Sequence, residues 1–134
     1  MFDVKLGVLV ELNEDIYEKL GKVKGMGFET CQLVCWNQNM FTDAIAEKVN
    51  AAVGQLKIEI TAFWCGWKGP EIWNFYSGPI TQGFVPAAYR FERMMDLCKG
   101  SDFVKKIGVT DIATHAGFIP ENPYDPDYLG VVEA

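Results

Sequence analysis

"KIEITAFWCGWKGPEIWNFYSGPITQGFV", residues 57–85, is the stretch that decides how this chain folds. Its opening, "KIEITAFW" (57–64), is rich in β-branched and aromatic residues and reads as a buried strand. The residues after it make no hairpin turn. Residues 65–85 hold two Gly-Pro steps, Trp67 and Trp73, and three further aromatic side chains. A connection of about 20 residues without regular structure is uncommon inside a compact domain and is usually functional or a lid. Pro86 then opens a long helical pattern that Gly108 closes, with Pro at a first-turn position. The expected buried stripe of that helix is Tyr89, Phe91, Met94, Met95 and Cys98, with Phe103 and Ile107 beyond; Gly100 weakens its middle.

On either side of this stretch the same strand-then-helix order repeats. The first strand is "VKLGVLV" (4–10). Asn13 can cap the next helix, whose Ile16, Leu20 and Val23 fall at i, i+4 and i+7 before Gly25 and Gly27. "ETCQLVCW" (29–36) is the second strand, and Thr42 caps a helix with Ile45, Val49, Ala52 and Val53 inward. The fourth strand is "DIATHA" (111–116), and Asp125-Pro126 starts a fourth helix. Repeated β-α order implies a parallel sheet with right-handed crossovers. A doubly wound sheet often places a glycine-rich turn after its first strand, and "VELNED" is not one. A closed (β/α)8 barrel needs about 250 residues. The chain has 134, so composition alone leaves the two architectures open.

The chemistry of the whole chain narrows its partners. No apolar run approaches the roughly 18 residues of a membrane helix, and Asp3 before the first apolar run argues for a buried strand over a signal peptide. With 12 basic against 18 acidic side chains, the chain lacks the basic stripe that meets nucleic acid. Cys31 and Cys35, four apart on a strand, stand about 13 Å from each other, too far for a disulfide or a shared metal. Cys65 and Cys98 are isolated. Four buried or half-buried free thiols indicate a reducing, cytoplasmic compartment.

Several segments in order carry a resemblance to the sugar phosphate isomerase/epimerase family of xylose isomerase-like barrels. They are "GFETCQLVCWN" (27–37), "GPEIWNFYSGPITQGFVP" (69–86), "YRFERM" (89–94) and "SDFVKKIGVTDIATHAGFIPENP" (101–123). The resemblance implies an α/β fold with residues 1–134 as the (βα)4 N-terminal half of a TIM (β/α)8 barrel. In the complete barrel it implies a divalent metal (Mn, Mg or Zn) and metal-assisted 1,2-proton transfer on a ketose or sugar phosphate. The family's metal ligands lie on strands five to eight, beyond this chain. Its polar strand ends are Glu11, Asn37 and His115, too few for a closed metal site. No metal is therefore expected to bind this chain tightly on its own.

The candidate sugar-binding residues are His115, Trp67, Trp73, Glu11 and Asn37. His115, the single histidine, is a core or strand-end residue by its local pattern alone; the resemblance makes it a substrate-hydroxyl or metal-side contact. Trp67 and Trp73 on the long connection offer a face for a sugar ring, whereas Trp36 and Trp64 read as packing. Arg90 and Arg93 could meet a phosphate, but a solvated or loop-anchoring role fits them better. Two other functions stand beside the isomerase: a non-catalytic sugar- or polyol-binding or interaction module, and an apurinic endonuclease-like repair protein, which the acidic charge disfavours. Half a barrel also leaves two sheet edges and a concave face open. About eight inward Val, Leu, Cys, Ile or Phe side chains would be uncovered, so a homodimer is expected.

Overall fold

The computed structural model describes residues 5–134; Asp3 and the expected first strand residue Val4 lie outside the described residues. Strands β1 (Gly7–Glu11), β2 (Thr30–Cys35), β3 (Glu59–Cys65) and β4 (Ile112–Ala113) form one parallel sheet in the order β1-β2-β3-β4. Helices α1 (Ile16–Gly25), α2 (Asp43–Leu56), α3 (Ala87–Lys106) and α4 (Pro126–Glu133) follow the four strands in turn. The register sets Gly7 opposite Thr30, Thr30 opposite Glu59 and Phe63 opposite Ile112. One irregularity falls between Cys31 and Gln32, where Thr61 is the extra residue and its hydroxyl donates to the Cys31 carbonyl at 3.2 Å.

Strand alternation sends one row of side chains to the helices and the other to the opposite face. Val10, Cys31, Leu33, Cys35, Phe63 and Cys65 join Ile16, Leu20 and Val23 of α1, Ile45, Val49 and Ala52 of α2, and Phe103 and Val104 of α3 in one core. All three helices therefore cover the same face of the sheet. The other face keeps Leu9 and Gln32 exposed, with Val34 and Trp64 half-buried. The cysteines and Phe63 expected on the open face belong instead to the covered one, so that face is less apolar than anticipated.

Local signals place most of the element ends. Thr42 Oγ1 accepts from Ile45 N–H at 3.2 Å and caps α2, and Asp125 Oδ1 accepts from Asp127 N–H at 2.9 Å at the start of α4. Asn13 does not cap α1: its side chain accepts from Asp15 N–H at 3.1 Å, and Asp15 takes the cap position without a side-chain bond. β4 is two residues long rather than six. Beyond Ala113 the Thr114 hydroxyl bonds the Cys65 carbonyl at 2.8 Å, and Phe84 N–H bonds the Ala116 carbonyl at 2.8 Å. The long connection thus takes over the pairing that a longer strand would have used.

The inward face of α3 also differs from the expected stripe. It is Arg93, Asp96, Gly100, Phe103 and Val104, while Phe91 is 76% exposed and Met95 and Cys98 face outward. The first half of α3 packs on the backbone of the long connection, whose carbonyls accept from Arg93 and whose Lys68 N–H donates to Asp96, so polar side chains turn inward there. Gly100 is required where the helix meets β3, because a Cβ would overlap Cys65 Sγ. Among the described residues, no helix is long and apolar enough to cross a membrane.

Candidate functional site

The C-terminal ends of the strands meet under the connection that leaves β3, residues 66–86. Its first turn is fixed by backbone bonds: Gly66 N–H donates to the Cys35 carbonyl at 2.9 Å, and Gln38 Nε2 donates to the Gly66 carbonyl at 2.9 Å. Gly66 lies directly under the Trp36 ring, where a side chain has no room. The far end of the connection docks on the exit of β4. Gly83 (φ +63°) and Gly117 (φ +97°) lie in contact there, each in a backbone conformation that glycine adopts without strain.

Two arginines of α3 hold this connection from below. Arg93 is 1% exposed; its Nη1 donates to the Gly83 carbonyl at 2.6 Å and its Nη2 to the Pro70 carbonyl at 2.9 Å. The guanidinium also lies 4.9 Å from the Trp67 ring centre and 4.8 Å from that of Tyr89, in cation–π contact with both. Burial pulls its pKa below the ordinary arginine value, and Tyr89, Glu92 and Glu71 act in the opposite direction. Arg90 donates to the Phe84 and Val85 carbonyls, each at 2.6 Å, and to Asp127 of α4 at 3.0 Å. Asp96, also 1% exposed, accepts from Lys68 N–H at 3.2 Å. Both arginines are anchors. Arg90 bonds two backbone carbonyls and Asp127, and buried Arg93 bonds two backbone carbonyls, which is the loop-anchoring role.

On this base stands a row of aromatic rings. Trp36 packs edge-on against Trp67 at 5.1 Å and against Trp73 at 6.1 Å, and Trp73 packs edge-on against His115 at 5.1 Å. Trp67 is 4% exposed and is the buried end of the row, whereas Trp73 is 56% exposed at its open end. His115 Nδ1 accepts from Gly117 N–H at 3.2 Å, which assigns the proton of the neutral ring to Nε2. Among the described residues Nε2 has no partner, so it is free to donate to a ligand.

His115 and Trp73 line an open pocket of about 210 Å³ together with Asn74, Phe75, Gln82 and Phe118. That is below the roughly 300–1,000 Å³ of complete small-molecule sites, as one wall of a larger site would be. Gln82 is held by its Nε2 donating to the Ile72 carbonyl at 3.0 Å, and Asn74 Oδ1 accepts from Tyr76 and Ser77 N–H at 3.0 and 2.7 Å.

The five sequence-derived site residues thus separate. His115, Trp73 and Trp67 share one connected row, through Trp36. Glu11, at the end of β1, is exposed and pairs with Lys19 at 3.3 Å. Asn37 closes a short turn after β2, its side chain accepting from Asn39 N–H at 3.1 Å. Neither lines the His115 pocket. Asn74, Phe75, Gln82 and Phe118 have no role on sequence grounds, since only the docking of the connection on β4 brings them to His115. Trp36 reads as packing, and its position against Gly66 is not visible in any periodicity.

No family model matches the sequence, and no curated protein is significantly similar to it. A solved structure is: a xylose isomerase domain protein from Planctomyces limnophilus, with 25% sequence identity and a TM-score of 0.84. The match covers 96% of this chain and 45% of that one. In fold, this chain is half of a TIM barrel. Its four parallel strands in sequential order, with helices on one face, are those of the half-barrel that the sequence resemblance implies.

Among the described residues no three His, Cys, Asp or Glu side chains come together as ligands, and the carboxylate of Glu11 lies three strands away from the strand that leads to His115. The buried thiols offer nothing reactive either: burial raises Cys31 to about 11 and Cys65 to about 12.

Proposed function

We propose that this chain is the sugar-binding N-terminal half, residues 1–134, of a cytoplasmic isomerase/epimerase-type barrel, and that by itself it binds a small polyol without turning it over. The observation that carries this reading is the Trp73–His115 pair, an exposed indole edge-on to an imidazole with a free N–H donor, in an open pocket that also holds Gln82 and Asn74. A sugar presents an apolar face and a rim of hydroxyls, and this wall offers an aromatic surface beside donors and acceptors. Among the described residues the pocket lining contains no Lys or Arg, and Arg90 and Arg93 are engaged with backbone carbonyls and Asp127. A neutral ketose therefore suits it better than a sugar phosphate.

A 1,2-proton transfer needs a base at the reacting carbon and a group that polarises the carbonyl. Among the described residues the pocket lining holds one imidazole and no carboxylate, so the complete reaction needs groups from outside this lining. Titrating D-fructose, D-xylulose and their phosphates while monitoring tryptophan emission tests the reading. Weak, millimolar binding of the neutral ketoses, lost in Trp73→Ala and His115→Ala, supports it. No hydrogen should exchange from the ketose into deuterated water under the same conditions. Exchange catalysed by the 134-residue chain alone would overturn the non-catalytic part, and absence of any ketose binding would overturn the rest.

A further inference from the structure

We infer that Gln82 sets the specificity of the His115 pocket: its side-chain oxygen takes the hydrogen of one ligand hydroxyl while His115 donates to another hydroxyl of the same molecule. This rests on the sugar-binding reading above and adds to it the feature the wall selects, a pair of hydroxyls of which one must donate.

The lining is short of acceptors. Its polar side chains are Trp73, Asn74, Gln82 and His115. His115 Nδ1 already accepts from Gly117 N–H at 3.2 Å, and Asn74 Oδ1 accepts from Tyr76 and Ser77 N–H at 3.0 and 2.7 Å. What these residues and Trp73 have left to offer are N–H donors. Gln82 differs. Its Nε2 donates to the Ile72 carbonyl at 3.0 Å, which fixes the amide, since a flip would set two oxygens against each other. Among the described residues Oε1 has no hydrogen-bond partner, so it is the one side-chain acceptor that the lining keeps for a ligand.

The surrounding bonds hold that acceptor in place. Gln82 is 1% exposed, and its own N–H donates to the Gly78 carbonyl at 2.9 Å. Ile72 is tied twice to the same turn, its N–H donating to Thr81 Oγ1 at 3.2 Å and its carbonyl accepting from Gln82. The Gln82 carbonyl lies against Gly117, the residue whose N–H bonds His115. Acceptor and donor therefore stand on neighbouring backbone segments, and the bonds that fix them lie within residues 72–117. A group already held in position costs a ligand little ordering.

A hydroxyl both donates and accepts, whereas a carbonyl, an ether or an ionised phosphate oxygen only accepts. Donors alone would hold any of these. The acceptor makes the difference: a ligand group with no hydrogen to give would set its lone pairs against Gln82 Oε1, and Trp73, Phe75 and Phe118 offer no other acceptor. A site built to bond a hydroxyl rejects the analogue that lacks it. The hydroxyl-bearing edge of a ketose, and not its carbonyl, thus lies against this wall.

The probes are D-fructose and its derivatives with fluorine in place of one hydroxyl at a time, because fluorine keeps roughly the size of a hydroxyl but cannot donate. Titrations followed by tryptophan emission should find one position where fluorine weakens binding about 3- to 10-fold, the worth of one neutral hydrogen bond. Gln82→Met should bind that derivative and D-fructose alike. If Gln82→Met does not fold, glutamine labelled with carbon-13 in the unmodified chain decides: the side-chain carbonyl resonance of Gln82 should move with D-fructose and not with that derivative. Fluorine tolerated at every position, a loss that persists undiminished in Gln82→Met, or a Gln82 resonance that ignores bound D-fructose would overturn this inference and leave the sugar-binding reading in place. Absence of any D-fructose binding would overturn both.

Discussion

Arg93 shows what a single side chain does here that its neighbours cannot. One planar fork joins the Gly83 and Pro70 carbonyls and lies against Trp67 and Tyr89, while its Nε stays buried without a partner. Removing it leaves two carbonyls unpaired and a cavity under the connection. Arg93→Met should therefore cost about 3 kcal/mol in denaturant unfolding. Trp67 would become wet and tryptophan emission should shift to the red; unchanged emission would show that the connection holds without its anchor. Arg93→Lys should rescue little, because a point charge cannot span both carbonyls.

The thiols give a second prediction at this scale. Cys98 is exposed and Cys31, Cys35 and Cys65 are buried, correcting the expectation that all four are covered. One thiol of four should react rapidly with a thiol reagent at pH 8 in the folded chain, and all four in denaturant. The sign of the pH dependence comes from the raised values of Cys31 and Cys65, about 11 and 12 against 9.0. Below 9 both states hold these protons and the thiols are neutral to stability. Above 9 only the unfolded chain releases them, so stability should fall between pH 9 and 12. Urea midpoints across that range check it, and Cys31→Ala should flatten the slope.

At the scale of elements, two helix glycines separate propensity from packing. Gly54 in α2 has no atoms within reach of an added Cβ, so Gly54→Ala should stabilise by about 0.5–1 kcal/mol. Gly100 in α3 is by propensity the same substitution, yet its added Cβ meets Cys65 Sγ in the core. Gly100→Ala should destabilise by about 1–3 kcal/mol. Thermal unfolding of the pair measures both. Equal shifts in one direction would mean that the approach of α3 to β3 is looser than described.

For the whole molecule, the sheet buries one face under three helices and leaves the other open, so its stability rests on a single core. Metal is not expected to add to it, since no set of three ligands assembles among the described residues. Manganese, magnesium, zinc or EDTA should each leave the thermal midpoint unchanged. A metal-dependent rise that His115→Ala abolishes would show that a metal site forms at His115 after all.

The alternating rows of 29–36 and 57–64, the 3.6-residue rows of α1 and α2, and the caps Thr42 and Asp125 depend on neighbours within a few residues. Four strand–helix units, their parallel order and, through segment resemblance, the half-barrel are therefore legible in the chain before it folds. The sequence also nominates His115 and Trp73, and the fold sets these two rings edge-on at one pocket. Three things belong to the folded arrangement alone. α3 turns Arg93 inward onto the Gly83 and Pro70 carbonyls and Asp96 onto the Lys68 N–H; β4 is short because the Ala116 carbonyl accepts from Phe84 N–H and the Thr114 hydroxyl donates to the Cys65 carbonyl; and Trp36 joins the aromatic row, and Gln82 and Phe118 the pocket, because the connection folds back over two strands. Each depends on groups far apart in the chain that meet only once the sheet has formed, and no local period records such a meeting.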